Sequence, residues 1–241
     1  MKAVLMNGFG GAEVLRVGET ERPSPSKDQV LIKTKATSVN RPDIIQRQGN
    51  YPPPKGESEI LGLEAAGIID VVGSAVQNFS AGDRVMALVG GGGYGEFVCA
   101  HESHLIRIPE SMDFEEAACI CETYLTAYLN LFLLGKLNGT EKVLLHGGGG
   151  GVNTAGVQLC KILAPEVIVI VTASPGKMGQ VKNLGVDLVI NYLAEDFSKV
   201  VRDFTDEQGV DVILDHIGGT YLNKNMKALA VGGRLLSIGV M

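Results

Sequence analysis

The sequence predicts a protein of two parts: an antiparallel, barrel-like β domain over residues 1–122, then a doubly wound parallel α/β domain over residues 123–241. Two observations carry the division. Up to about Cys121 the chain is a series of short strands separated by turns bearing Gly, Pro, Asn and Ser. After Glu122 it becomes an alternation of wholly apolar strands and amphipathic helices. Strands that are apolar throughout are buried on both faces, which requires a parallel sheet with helices on each side. The length of 241 residues, 45% of them hydrophobic, suits one large domain or two small ones with a real core.

The strands expected in the first half are Lys2–Met6, Leu15–Glu19, Gln29–Val39, Gly67–Val72, Arg84–Val89, Tyr94–Ala100 and Leu105–Ile108. In the third of these, Val30, Ile32, Thr34 and Ala36 alternate with charged Lys33 and Lys35, the period of a half-buried strand. One helix is expected at Arg41–Gln48, with Pro42 in its first turn and Gly49 at its end. In the second half a helix over Thr123–Leu134 leads into strands Lys142–His146, Val167–Val171, Asp187–Ile190, Val210–Asp215 and Gly233–Ile238. The helices between them are Asn153–Leu163, Pro175–Leu184, Phe197–Thr205 and Tyr221–Ala230.

Composition narrows the functional classes. No apolar run approaches the ~18–20 residues of a membrane span, and the opening Met-Lys-Ala-Val-Leu-Met-Asn-Gly breaks too early for a signal peptide. Cys99, Cys119, Cys121 and Cys160 form no regular framework, which suggests free thiols in a reducing compartment. A net charge of −6 without a basic run argues against a dedicated nucleic-acid binder. The expectation is a cytoplasmic protein without membrane or nucleic-acid partners.

Nine of the 32 glycines lie in two runs, Gly90–Gly93 and Gly147–Gly151. The second follows a strand directly and opens a helix, the arrangement that aims backbone N–H groups and a helix N-terminus at a pyrophosphate. No register satisfies Gly-x-Gly-x-x-Gly; the looser Gly147-x-x-Gly150-x-x-Asn153 is present. Asn153 stands where a third glycine would let helix and strand pack closely, and is expected to cap the helix by accepting a backbone N–H. A flexible glycine linker is the bland alternative, opposed by the strand-to-helix position.

The next strand ends in Thr172-Ala173-Ser174-Pro175-Gly176-Lys177, with no acid to hold a ribose 2′-OH. Ser174 offers a hydroxyl and Lys177 a point charge for a 2′-phosphate, so NADPH is expected over NADH.

Further stretches extend the pattern over nearly the whole chain in order. They are Thr37-Ser-Val-Asn-Arg-Pro-Asp43, Gln46-Arg-Gln-Gly49, Ile60-Leu-Gly-Leu-Glu-Ala-Ala66, Gly82-Asp-Arg-Val-Met-Ala-Leu88, Leu125-Thr-Ala127, Asn191-Tyr192 and Leu214-Asp-His-Ile-Gly-Gly219. With the glycine loop, these resemble the zinc-free, zeta-crystallin-like quinone oxidoreductase branch of the medium-chain dehydrogenase/reductase superfamily, nearest the stress-inducible NADPH:quinone oxidoreductase group.

The resemblance implies a GroES-like catalytic domain followed by a Rossmann domain, with the nicotinamide in the cleft between them. It places Asn40 and Tyr51 at the nicotinamide and substrate end, and Thr126 near the nicotinamide and phosphates. Gly150, Gly151, Val152 and Asn153 fall on the pyrophosphate, at the glycine loop. Thr172 and Ala173, which end the next strand, are also expected to bind the cofactor, with Ser174, Lys177 and Tyr192 around the 2′-phosphate. Ile217, Ile238, Gly239 and Met241 follow the cofactor with backbone or apolar contacts. Tyr51 suits equally a loop tyrosine packed on Pro52–Pro54.

The alcohol dehydrogenases of this superfamily hold catalytic zinc through a Cys and a His where this chain has Asn40 and Leu63, neither of which supplies a thiolate or imidazole. The structural zinc lobe is replaced by Gly90–Gly93, and His101 with His104 is an isolated pair. No metal is expected. Without a Lewis acid, suitable acceptors are quinones and conjugated enones, with Asn40 and Tyr51 orienting substrate or nicotinamide. The alternatives are a 2-alkenal, enone or enoyl-thioester reductase and, outside enzymes, an NADPH-binding structural or RNA-associated crystallin-like protein.

A complete sheet of this kind runs to about six strands, whereas five are legible here. The sixth strand and the C-terminal return to the catalytic domain are therefore expected to be missing, leaving an open sheet edge where the family forms its homodimer.

Overall fold

The computed structural model describes residues 1–239. The chain divides into two compact units, Met1–Glu122 and Thr123–Met241.

In the first unit β1 (Lys2–Met6) and β2 (Leu15–Glu19) form an antiparallel hairpin. A five-stranded antiparallel sheet follows, built from β3 (Gln29–Ala36), β4 (Glu64–Val72), β5 (Arg84–Leu88), β6 (Phe97–His101) and β7 (Leu105–Arg107). Its order is β6-β3-β4-β5-β7, a GroES-like half-barrel. β3 is paired along both edges, to β4 and β6, and at its start Val30, Leu31 and Ile32 are all buried, so residues on both faces of the strand are covered there. The simple alternation expected for this strand therefore holds only beyond Ile32. β3 also ends at Ala36 rather than Val39, where Thr37 turns the chain by donating its hydroxyl to the Glu64 carbonyl at 2.7 Å.

Helix α1 (Arg41–Arg47) matches the Pro42 start signal. A second short helix, α2 (Phe114–Ala117), was not foreseen. Asp113 caps it by accepting the Glu116 N–H at 2.7 Å, and Glu116 accepts back from Asp113 N–H at 3.3 Å. This is an Asp-x-x-Glu capping box.

α3 (Cys121–Tyr128) begins two residues before the expected helix and widens at its end into a π-type turn over Leu129–Leu134. There Gly135 N–H donates to the Asn130 carbonyl at 2.8 Å. The second unit then runs β8 (Lys142–Leu145), α4 (Gly151–Leu163), β9 (Ile168–Ala173), α5 (Met178–Lys182), β10 (Leu188–Asn191), α6 (Phe197–Phe204), β11 (Val210–Asp215), α7 (Gly219–Ala228) and β12 (Leu229–Ser237). All five strands are parallel, in the order β10-β9-β8-β11-β12.

This is a Rossmann-type sheet whose strand order reverses at β8, the point outside which such sheets bind ligands. Val143, Leu145, Val169, Val171, Val212 and Leu214 pack toward one helical layer, and Leu144, Ile170, Ile190 and Ile213 toward the other. Both faces are therefore dry, as apolar strands require.

Boundaries shifted here as in the first unit. The segment after β9 is a 3₁₀ turn (Pro175–Lys177) before the short α5, rather than one helix to Leu184. β12 begins at Leu229, taking residues assigned from the sequence to the preceding helix, and a bulge opposite Val210–Val212 accommodates the extra length.

β12 is tied back to the start of the unit by Arg234. Its guanidinium grips Glu141 at 2.7 and 2.8 Å and donates from Nε to the Gly135 carbonyl at 2.8 Å. Arg234→Ala is expected to lower unfolding stability by about 1–2 kcal/mol. Arg234→Lys should recover little, because an ammonium cannot make the two-pronged contact. Denaturant titration reads both.

Candidate functional site

The C-terminal ends of β8, β9, β10, β11 and β12 lie along one edge of the parallel sheet, and the loops there carry most of the dinucleotide residues expected from the sequence. The glycine loop is pinned to the neighbouring strand. Gly147 N–H donates to Thr172 Oγ1 at 3.0 Å, and Gly148 N–H to the Thr172 carbonyl at 2.8 Å. Gly147 has φ +70°, which favours glycine. A Cβ at Gly148 would overlap Val171 Cγ1, so only glycine lets the loop lie this close to β9.

α4 starts at Gly151 with Gly150 as its cap residue, which offers no side chain to the first turn. Among the described residues no acceptor meets the N–H groups of Gly151, Val152 and Asn153, and Gly150 and Gly151 are exposed. A thirteen-residue helix with open first-turn amides is built to take an anion. The residues therefore fit a dinucleotide pyrophosphate.

Asn153 does not cap the helix as expected. It sits in the first turn, buried, and its Nδ2 donates to the His146 carbonyl at 2.6 Å, the Gly147 carbonyl at 3.4 Å and His216 Nδ1 at 3.3 Å. The capping geometry fails because the side chain turns back under the loop rather than out toward the amides. Asn153 thus fixes the path of the glycine loop from below.

Ser174 and Tyr192 follow Ala173 and Asn191, which are partners in the β9–β10 ladder, so the two residues leave adjacent strand ends. Tyr192 is exposed. Lys177 reaches across to the glycine loop, its Nζ donating to the Gly149 carbonyl at 3.1 Å. Ile217 N–H donates to Asp215 Oδ1 at 2.7 Å, and Ile238 N–H to the Asp215 carbonyl at 2.8 Å. Gly239 follows with φ +59°, while Met241 lies outside the described residues. On α3, Thr126 is half-buried one turn beyond Thr123, whose Cγ2 lies 2.9 Å from the Cβ position of Gly151.

In the first unit Asn40 precedes α1, buried, with its Nδ2 donating to Glu64 Oε1 at 2.8 Å and to Ser38 Oγ at 2.9 Å. Glu64, also buried, additionally accepts from the Ser38 hydroxyl and from Glu122 N–H at 2.9 Å. Asp43 accepts from Asn40 N–H at 2.7 Å, Tyr94 OH at 3.0 Å and Gly62 N–H at 3.2 Å. Burial pushes the Asp43 and Glu122 carboxyls up, and Glu64 and Asp43 push Glu122 up further. Tyr51 is exposed in the loop beyond the far end of α1, so α1 separates it from Asn40.

Glu64, Asp43, Tyr94 and the buried His146 were not singled out from the sequence. The available signal was a polar residue interrupting or ending an apolar strand, as in Leu144-Leu145-His146 and Ile213-Leu214-Asp215.

Comparison with known proteins decides the family. Residues 26–110 match the alcohol dehydrogenase GroES-like domain, and residues 151–241 match the zinc-binding dehydrogenase family. A Pseudomonas syringae quinone oxidoreductase structure superposes with a TM-score of 0.90 at 32% identity, covering 99% of this chain and 73% of that one. The chain belongs to the medium-chain dehydrogenase/reductase superfamily.

Within this superfamily, the structure of the CurK enoyl reductase gives a TM-score of 0.91 at 29% identity over 99% of this chain and 74% of that one. The synaptic vesicle membrane protein VAT-1 homolog of Danio rerio is 34% identical over 239 residues, 99% of this chain. The chain spans only 49% of that relative's length. Among the described residues no helix is long and apolar enough to cross a membrane. The medium-chain dehydrogenase/reductase fold is one that binds NAD(P).

The residues present do not fit the zinc in one matched family's description. Leu63 is buried and apolar, the Asn40 amide is spent as a donor, and no three His, Cys, Asp or Glu among the described residues are arranged to hold a metal.

Two outcomes follow from this geometry. Gly148→Ala should destabilise the second unit by about 1–3 kcal/mol through its clash with Val171. Val171→Ala in the same chain should restore part of that loss, as read by denaturant unfolding. Asp43→Ala strands three donors and should cost about 3 kcal/mol, whereas Tyr94→Phe should cost about 1 kcal/mol. Equal losses for the pair would contradict the three-donor arrangement.

Proposed function

We propose that this chain is an NADPH-dependent oxidoreductase of the zinc-free, zeta-crystallin-like branch that transfers hydride to quinones. The observation that carries the reading is the open first turn of α4 together with the residues after β9. Ser174 and Lys177 stand there without an acid to hold a ribose 2′-OH. When bound, NADPH supplies the hydride. Gly151, Val152 and Asn153 offer their amides to the pyrophosphate, Gly150 leaves the approach clear of a side chain, Ser174 and Tyr192 flank the 2′-phosphate, and Lys177 exchanges its Gly149 carbonyl for phosphate oxygen.

In the first unit, the Glu64 carboxylate and the Ser38 hydroxyl occupy the Asn40 amide nitrogen, which sets how its side chain is presented. Asn40 and Tyr51 orient substrate or nicotinamide by hydrogen bonds. The acceptor is a quinone or conjugated enone, whose developing negative charge spreads onto oxygen without a metal. Reduction of 2-alkenals, enones or enoyl thioesters is the second reading, favoured by the likeness to the CurK enoyl reductase.

The chain is assigned to the cytoplasm and, as part of the whole protein, to a homodimer. It is given no nucleic-acid or membrane partner.

Titration with NADPH and NADH tests the cofactor. NADPH should bind more tightly, and Ser174→Ala and Lys177→Ala should each weaken NADPH by roughly tenfold while leaving NADH nearly unchanged. Preference for NADH would overturn the assignment. In the whole protein, a panel of quinones against alkenals separates the two acceptor readings. Unchanged turnover in both Asn40→Ala and Tyr51→Phe would remove those residues from the site.

A further inference from the structure

His146 directly follows the central strand of the parallel sheet and has no exposed surface. Its ring stands edge-on to Phe197 and Tyr221, with centroids 4.7 and 5.0 Å away, so it is held in place by packing. Both ring nitrogens have partners. Nε2 lies 2.7 Å from Asn225 Oδ1, and Nδ1 lies 3.2 Å from Thr172 Oγ1.

The direction of each bond can be fixed from the ends inward. Asp215 accepts from Ile217 N–H at 2.7 Å and Gly218 N–H at 3.3 Å, and its Oδ2 accepts from Asn225 Nδ2 at 3.0 Å. With its nitrogen committed to a carboxylate, the fully buried Asn225 turns its oxygen toward His146, so Nε2 must carry the proton. Nδ1 is then an acceptor and takes the Thr172 hydroxyl proton. That leaves a lone pair on Thr172 Oγ1 for Gly147 N–H at 3.0 Å. The chain of bonds runs without a gap from the first residue of the glycine loop to the loop after β11.

We propose that His146 is a positioning residue. As the neutral Nε2–H tautomer it joins the glycine loop to the 216–218 loop through Thr172, Asn225 and Asp215, so that the two loops hold a single relative geometry. The binding part of this proposal rests on the dinucleotide reading above; the coupling of the two loops does not.

A second proton on the ring would set an Nδ1–H donor against the Thr172 hydroxyl and break the directional order. The surroundings oppose that proton. Burial pushes the imidazole down to about 4; the Asn225 bond and the Asp215 charge partly offset this, and His216 adds to it. Among the described residues, the other titratable or charged groups around the aromatic cluster include Tyr221 and Lys224 on α7, with Lys224 Nζ paired to Asp196 before α6, and Tyr192 after β10, which acts on Tyr221. With this histidine depressed, the unfolded chain binds more protons than the folded one between about pH 6.5 and pH 4. The contribution is therefore complete above that window and is lost as the pH falls through it.

The test uses this chain labelled with ¹⁵N. Two-bond ¹H–¹⁵N spectra should show His146 neutral with the proton on Nε2 from pH 8 to about pH 5; an Nδ1–H tautomer, or a cation at pH 6, overturns the proposal without any variant. Thr172→Val cuts the relay at one end and Asn225→Leu at the other. Each should speed amide exchange at both Gly147 and Gly218 by roughly tenfold, whereas Thr172→Ser should restore wild-type exchange. Acceleration confined to the nearer loop in each variant would show two independent contacts and overturn the coupling.

NADPH affinity should fall roughly fivefold in Thr172→Val and be kept in Thr172→Ser. Equal affinity in Thr172→Val and wild type overturns the positioning role. Failure of the unmodified chain to bind either NADPH or NADH, with coupled exchange intact, overturns the dinucleotide reading and supports the coupling of the loops on its own.

Discussion

The glycine loop of the second unit depends on how closely its backbone lies against β9. That approach exists because Gly148 has no side chain to meet Val171, and because Thr172 takes two successive N–H groups, one on its hydroxyl and one on its carbonyl. With the loop held there, α4 begins where its first-turn amides face outward, and Asn153 can reach back beneath it. A loop lifted off β9 would lose the Thr172 bonds and leave unpaired the polar groups that now satisfy one another. The free amides of an anion site and the dryness of the sheet below it therefore have one origin.

The first unit handles buried polarity differently. Glu64 and Asp43 each gather several donors around a carboxylate, with the Asn40 backbone on one and the Asn40 side chain on the other. Asn40 is thereby fixed from two directions. Orientation set by groups that do not themselves react is a general requirement of sites that work by placement rather than by metal chemistry.

The sheet topologies were legible because they follow from pattern. Val167–Val171 and Val210–Asp215 are apolar enough to demand two covered faces, and the position of the glycine run after His146, between an apolar strand and a helical pattern, favours a strand-to-helix turn over a flexible linker. Less legible were the boundaries set by tertiary pairing, such as the start of β12 at Leu229, which is drawn out of a helix-like stretch by the ladder with β11. Within the site, residue positions along the strand edge came through and side-chain directions did not. Asn153 has the composition of a helix cap, and nothing in its neighbours along the chain reveals that two carbonyls and a histidine wait beneath it. The contacts among His146, Asn225 and Asp215 were equally hidden, because two strands and a helix from distant parts of the chain bring them together.

The Arg234 clamp bears on how the second unit is made. Glu141 lies just before β8, and the side chain that locks it stands 93 positions later, in the last strand. β8 is also the centre of the sheet, bonded on one side to β9 and on the other to β11. During synthesis the central strand of the unit therefore leaves the ribosome with only one partner in sight. Its second edge stays open until β11 arrives, and its flanking loop stays loose until β12 does. Closing such long loops is slow, and an unpaired apolar strand edge is sticky while it waits. For a nascent chain of this topology, protection of the β8 edge by a chaperone matters most in the interval between the emergence of β9 and that of β11.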